Sequence, residues 1–82
     1  MVNVEYRDNF LRVIGKIKNA DLKYKVKKQI EKILNNPEVG KPMRYSRKGT
    51  RELYVSPYRL AYAYIREENK VIFLELYHKD EQ

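Results

Sequence analysis

The spacing of apolar residues changes once along this chain, and the change limits the folds that are open to it. In residues 8–36 apolar side chains recur every three or four positions, which is the period of an amphipathic helix. The longest such stripe consists of Leu22, Val26, Ile30, Ile33 and Leu34. From residue 43 onward the period falls to two, which is typical of β-strands. The sequence therefore predicts an α+β fold in which two helices pack on one face of a small, mainly antiparallel sheet.

The predicted elements follow the order β-α-α-β-β-β. Residues 2–6 alternate and predict a short first strand, and Asp8 and Asp21 are the expected caps of the two helices. A second short strand is expected at residues 43–45, before the three longest strand segments. A chain of this size is too small for two separate cores, so residues 1–82 are expected to form a single domain.

Composition excludes several classes of protein. The chain has no cysteine, which excludes disulfide scaffolds and Cys-ligated metal sites, and its one histidine cannot form a multi-histidine site. We therefore expect no metal and no cofactor. The longest apolar run, residues 60–65, is far too short to span a bilayer, and residues 1–8 lack the apolar region of a signal peptide. The expectation is a cytoplasmic protein without a membrane partner.

Positive charge is concentrated in the middle of the chain. The net charge is +7, yet residues 41–66 hold seven basic side chains and one acidic one, whereas residues 67–82 hold two basic and five acidic ones. Five of the eight tyrosines lie in the same middle segment. Interleaved arginine, lysine and tyrosine is typical of surfaces that bind phosphates and stack bases. The alternative is a solvated basic surface with tyrosines that suit strands, and composition leaves both open.

Strand register sorts the later side chains onto two faces. If Val55 faces Tyr58 across a two-residue turn, Leu53 lies opposite Leu60. If Arg66 faces Lys70 across a three-residue loop, Tyr62 meets Leu74 and most aliphatic residues again share one face, under the helices. The opposite face is then open to a ligand or partner, and it consists of Glu52, Tyr54, Arg59, Ala61, Ala63, Phe73, Glu75 and Tyr77.

A short motif in the predicted fourth strand resembles a known family. The motif follows a basic strand and a short turn, and it reads Tyr58-Arg59-Leu60-Ala61-Tyr62. A Gly-Lys-Pro loop precedes it, and the chain closes with a Leu-Tyr-His-Lys-Asp-Glu run. In this order the features resemble the RelE/ParE toxin superfamily, and the similarity covers nearly the whole chain.

The resemblance implies a RelE/ParE-type fold, like that of microbial ribonucleases, and a toxin of a type II toxin–antitoxin system. In the RelE branch such a toxin is an mRNA interferase, a ribosome-dependent endoribonuclease that inhibits translation. In the ParE branch it inhibits DNA gyrase without cleaving nucleic acid. An acidic, RelB-like antitoxin is the implied partner in both branches, and operator DNA is bound only by the toxin–antitoxin complex. A degenerate member that retains antitoxin and DNA binding without catalysis is the third alternative.

RNA cleavage through the 2′-hydroxyl needs a base, a cation and an acid, and it needs no metal. The resemblance assigns the cation to Arg59, which the register places on the open face between two tyrosines. Glu52 is the candidate base and His78 the candidate acid, because arginine stays protonated and histidine titrates near neutral pH. Both residues have an alternative role. Arg59 could form a cross-strand ion pair with Glu75, and His78 could be structural, because the predicted register places it on the face under the helices.

Further basic and aromatic residues flank these three. We expect contacts to RNA or to the antitoxin from Arg44, Arg47, Lys48, Arg51, Tyr54, Tyr77 and Lys79. The basic residues among them have an alternative role, because a charged hairpin also keeps a sheet edge soluble.

Overall fold

The computed structural model describes residues 2–43 and 49–78, and it confirms the predicted α+β order of elements. One sheet contains all five strands in the spatial order β1-β5-β4-β3-β2, with β1 parallel to β5 and every other pair antiparallel. The elements are β1 (Asn3–Tyr6), α1 (Asp8–Lys16), α2 (Ala20–Asn35), β2 (Lys41–Pro42), β3 (Thr50–Val55), β4 (Tyr58–Ile65), a 3₁₀ turn (Arg66–Glu68) and β5 (Lys70–His78).

The cap positions of the two helices lie one and two residues before the expected ones, at Arg7 for α1 and at Asn19 for α2. The side chain of Asn19 accepts a hydrogen bond from the Leu22 amide at 3.1 Å and so caps α2, whereas Asp21 lies within the first turn. Asp8 is likewise the first helical residue of α1, after Arg7, whose side chain makes no cap bond. Both predicted caps are therefore wrong by position. An acidic side chain in a first turn still interacts favourably with the helix dipole, which explains its presence there.

An aromatic cluster connects the helices to the sheet. Phe10 of α1 and Phe73 of β5 are fully buried, and their ring centroids are 5.3 Å apart. Tyr6 stacks on Phe73 at 5.1 Å, and Tyr62 of β4 completes the cluster from the neighbouring strand. Ile33 brings α2 into the same core. Because these side chains lie on one side of the sheet, the other side is left uncovered by helices.

The register between β3 and β4 is the predicted one. Leu53 lies opposite Leu60, and Tyr54 lies opposite Arg59. Ser56 and Pro57 connect the strands, with a cis peptide bond between them. The short connection fixes the parity of both strands, so the aliphatic pair faces the helices and the Tyr54–Arg59 pair faces away from them.

The register between β4 and β5 changes at a β-bulge after Ala61. Leu60 pairs with Leu76 as predicted, but Tyr62 pairs with Phe73 and not with Leu74. The loop is one residue longer than expected, since Ile65 and not Arg66 faces Lys70, and the bulge absorbs the extra residue.

The bulge exchanges two side chains between the faces of the sheet. Phe73, predicted on the open face, lies in the core, while Ile72 shares the open face with Ala63. Asn69 closes the loop in the left-handed conformation at φ 49°, which asparagine adopts more readily than most residues. Neither helix in the described ranges is long and apolar enough to cross a bilayer.

Candidate functional site

Arg59 lies at the centre of the open sheet face. It pairs with Tyr54 on β3 and with Tyr77 on β5, so the three side chains form one row across the sheet. The exposed fraction of the Arg59 side chain is 36%, and Tyr54 is half exposed. An arginine between two accessible tyrosine rings suits an anionic ligand with flat bases.

Glu52 contacts two members of this row. Its Oε1 lies 3.5 Å from the Nη1 of Arg59, and its Oε2 accepts a hydrogen bond from the Tyr77 hydroxyl at 3.2 Å. The Glu52 side chain is 23% exposed. The structure thus brings together the predicted cation and the predicted base, and each carboxylate oxygen has its own donor.

The Tyr77 hydroxyl is held in its protonated form. Burial is the largest effect raising its pKa, and the negative charge and hydrogen bond of Glu52 raise it further, whereas Arg59 acts in the opposite direction. Because the net shift is upward from an ordinary pKa of 10.0, the group is a hydrogen-bond donor at neutral pH.

An open concavity of about 490 Å³ lies beside this row. Its walls are formed by Val39, Lys41, Glu52, Leu53, Tyr54 and Arg59. The sequence placed Lys41 in a loop and outside the site, yet it belongs to β2 and lies directly opposite Glu52. A strand of two residues is too short to show a period, which is why the pattern missed it. In the described ranges no three His, Asp or Glu side chains converge as metal ligands would.

Two of the expected site residues lie on the helix-covered side. His78 follows Tyr77 on β5, and successive side chains of a strand point to opposite faces. Its ring meets Tyr58 edge-on with 5.6 Å between the centroids. The Nη1 of Arg51 donates to the carbonyl oxygens of Glu38 and Gly40, at 3.0 and 2.7 Å. Neither side chain is therefore brought to Arg59 and Glu52.

Four of the expected contacts to RNA or antitoxin lie outside the described residues. These are Arg44, Arg47, Lys48 and Lys79.

The family of this chain follows from comparison with known proteins. Residues 4–82 match the family model of the ParE toxin of type II toxin–antitoxin systems, parDE. The chain belongs to the ParE toxin family. No curated protein matches it. The family match spans the strands and helices described above, apart from Asn3 at the start of β1.

Solved structures share the fold of this ParE-family chain. The RelBE2 toxin–antitoxin complex of Mycobacterium tuberculosis matches with a TM-score of 0.78 and 26% identity, covering 95% of this chain and 98% of the other. The YoeB/ParE toxin from Agrobacterium tumefaciens matches with a TM-score of 0.82 and 11% identity, and the match covers 94% of this chain and 98% of the other. The intact E. coli RelBE complex matches with a TM-score of 0.77 and 19% identity, and the match covers 93% of this chain and 94% of the other. These likenesses confirm the RelE/ParE-type fold.

A buried tyrosine holds one wall of the concavity in this ParE-family protein. The hydroxyl of Tyr62 accepts a hydrogen bond from the Gly40 amide at 2.9 Å and donates one to the Pro37 carbonyl at 2.7 Å. Tyr62 is fully buried, and this burial raises its pKa. A Cβ atom at Gly40 would lie 2.6 Å from the Tyr62 hydroxyl, so the approach requires glycine. We call Tyr62, Arg51 and the backbone of residues 37–40 the latch.

Proposed function

We propose that this ParE-family toxin is an mRNA endoribonuclease that acts on the ribosome, in the cytoplasm, and thereby inhibits translation. The observation that carries the proposal is the pair of Arg59 and Glu52, 3.5 Å apart on the sheet face that the helices leave open. A carboxylate and a guanidinium at this separation supply a base and a phosphate-binding cation to one reacting centre. The adjoining concavity has room for a nucleotide.

The proposed reaction is attack by the RNA 2′-hydroxyl on the adjacent phosphorus. Glu52 takes the proton from the 2′-hydroxyl, the P–O2′ bond forms, and the P–O5′ bond breaks. Arg59 stabilises the negative charge that develops on the phosphoryl oxygens. Tyr77 donates its proton to the departing O5′, in place of His78, which lies on the other face. The products are a 2′,3′-cyclic phosphate and a 5′-hydroxyl.

An antitoxin is the proposed protein partner. The E. coli RelBE structure and the M. tuberculosis RelBE2 structure are toxin–antitoxin complexes with this fold. The seven basic residues within 41–66 favour an acidic antitoxin segment over a neutral one. Such a segment would occlude the open face and keep the toxin inactive until it is released.

The test is cleavage of a defined mRNA by purified toxin, with and without ribosomes. Arg59→Ala is expected to lower the cleavage rate about 10²–10³-fold, the usual effect of removing a group that stabilises transition-state charge. Lys25→Ala, an exposed helix substitution, is the matched control and should keep full activity. Intact mRNA on ribosomes that the wild-type toxin has saturated would contradict the proposal.

Gyrase inhibition is the second candidate. The ion pair with Glu52 partly neutralises Arg59, and His78, the acid expected from the sequence, lies away from the pair. A supercoiling assay with purified gyrase separates the two functions. Loss of supercoiling together with intact mRNA would favour gyrase as the target.

A further inference from the structure

Lys41 adds a second cation to the open face. It lies opposite Glu52 in the β2–β3 pair, and residues directly opposite in a sheet share a face. Its side chain is exposed and forms part of the wall of the 490 Å³ concavity. Glu52 therefore lies between two cations, Arg59 on one side and Lys41 on the other.

Two described arginines of this part of the sheet, Arg51 and Arg59, are already engaged. Arg59 pairs with Glu52, and Arg51 donates to the carbonyls of Glu38 and Gly40. Within residues 2–43 and 49–78, no carboxylate forms an ion pair with the Lys41 ammonium. A lysine is a compact charge with rotatable donors on a flexible stem, so it can follow a phosphate along the concavity.

We infer that Lys41 binds a backbone phosphate of the RNA strand lying in the concavity, and that the latch holds Lys41 in place for this contact. The inference rests on the proposed RNA substrate and assigns a binding residue beyond the reacting pair. The phosphate in question is a neighbour of the one that is cleaved, because Lys41 and Arg59 lie on opposite sides of Glu52.

The latch acts on Lys41 through the chain itself. Gly40 directly precedes Lys41, and both of its backbone polar groups are bound: the amide by the Tyr62 hydroxyl and the carbonyl by Arg51. Arg66 adds an ion pair to Glu38, with 2.6 Å between Nη2 and Oε2. The connection from α2 to β2 therefore has a fixed path, which reduces the freedom that Lys41 loses on binding.

The experiment measures binding and not cleavage. Ribosomes are programmed with a short mRNA whose 2′-hydroxyls are methylated, so that no attack can occur, and toxin affinity is compared with that for ribosomes without mRNA. Lys41→Ala is expected to reduce the mRNA-dependent gain in affinity about tenfold, as expected for one charge-assisted contact. Lys41→Arg should retain most of it, and Lys25→Ala, on the helix layer, should leave it unchanged.

A double-mutant cycle tests the latch. Tyr62→Phe keeps the ring but removes both hydroxyl contacts, and it should reduce the mRNA-dependent gain when Lys41 is present but not in the Lys41→Ala background. A general loss of structure would lower affinity in both backgrounds and overturn the positioning role. Arg51→Lys provides the same comparison if Tyr62→Phe does not fold.

The outcomes separate this inference from the proposed function. Wild-type toxin that cleaves mRNA, with Lys41→Ala showing an undiminished mRNA-dependent gain, overturns the inference and leaves the function standing. A second outcome is that wild-type toxin shows the mRNA-dependent gain in affinity, Lys41→Ala loses it, and the wild type never cleaves unmodified mRNA. This outcome supports the RNA contact and overturns the proposed nuclease activity. No mRNA-dependent gain in the wild type overturns both.

Discussion

The hydroxyl of Tyr77 reaches the carboxylate of Glu52 across an intervening strand. Tyr77 lies on β5 and Glu52 on β3, and the donor–acceptor distance is 3.2 Å. The strand between them presents Ala61, which lies opposite Glu52 and is almost fully covered. A small side chain at this position lets the groups from the outer strands meet above it.

Replacing Glu52 with glutamine should lower the pKa of Tyr77. The charge of Glu52 and its hydrogen bond both raise that pKa in the wild-type protein, and the amide removes the charge. The measurement is tyrosinate absorbance during alkaline titration, taken as the difference between proteins with and without Tyr77→Phe. The same substitution should reduce mRNA cleavage about 10²–10⁴-fold, the usual effect of losing a general base. An unchanged Tyr77 titration would contradict the contact.

Replacing Ala61 with valine should separate Tyr77 from Glu52. Two added methyl groups occupy the space in which those side chains meet, so we expect mRNA cleavage to fall about 10–100-fold with the fold intact. Ala63→Val is the matched control, because Ala63 lies on the same face of the same strand but opposite Thr50 and Ile72. Equal losses of cleavage in both variants would argue against the contact.

Phe73→Ala should destabilise the protein by about 3–5 kcal/mol, since it removes a fully buried ring from the aromatic cluster. Leu74→Ala, at the partly buried bulge, should cost about 1 kcal/mol. Urea denaturation of the two purified variants measures both free energies of unfolding. The register predicted from the sequence requires the reverse order, so the comparison distinguishes the two registers.

Asn19→Ala should cost about 1 kcal/mol, because it removes the side-chain acceptor that caps α2. Asp21→Ala should cost only about 0.3–0.5 kcal/mol, since Asp21 contributes through the helix dipole alone. Thermal unfolding followed by circular dichroism measures the difference. If Asp21→Ala costs more stability than Asn19→Ala, Asp21 is the cap of α2, as the sequence predicted.

Alkaline pH should destabilise the folded state. The folded-state pKa values of Tyr62 and Tyr77 are both raised above the ordinary 10.0. The folded chain therefore retains protons that the unfolded chain releases, and the free energy of unfolding falls as pH rises above about 10. Urea denaturation across this range measures the fall, and Tyr62→Phe should make it shallower. If Tyr62→Phe leaves the pH dependence of the free energy of unfolding unchanged, the raised pKa of Tyr62 is contradicted.

Much of this fold could be predicted because local rules and the global pattern agree. The change of period separated helices from strands, and the short connection at Ser56 and Pro57 fixed the register that places Arg59 between Tyr54 and Tyr77. The family resemblance was confirmed by the match over residues 4–82.

The errors arose where the sequence carries no periodic signal. Odd-numbered and even-numbered positions of β5 are both largely apolar, so alternation could not reveal a bulge or a loop longer by one residue. Phe73 was therefore assigned to the wrong face of the sheet. Lys41 was missed because β2 has two residues. The latch joins Tyr62 to backbone atoms 22 and 25 residues away, and no local pattern encodes such contacts.

The parallel pairing of β1 with β5 has a consequence for synthesis of the protein. Asn3 pairs with Lys70, so the first strand has no partner in the sheet until the last strand has been translated. The open face is also incomplete until then, because Tyr77 comes from that strand. A nascent chain that lacks β5 therefore holds Arg59 and Glu52 without their third partner, Tyr77. The complete row of Tyr54, Arg59 and Tyr77 can form only after the codon for Tyr77 has been read.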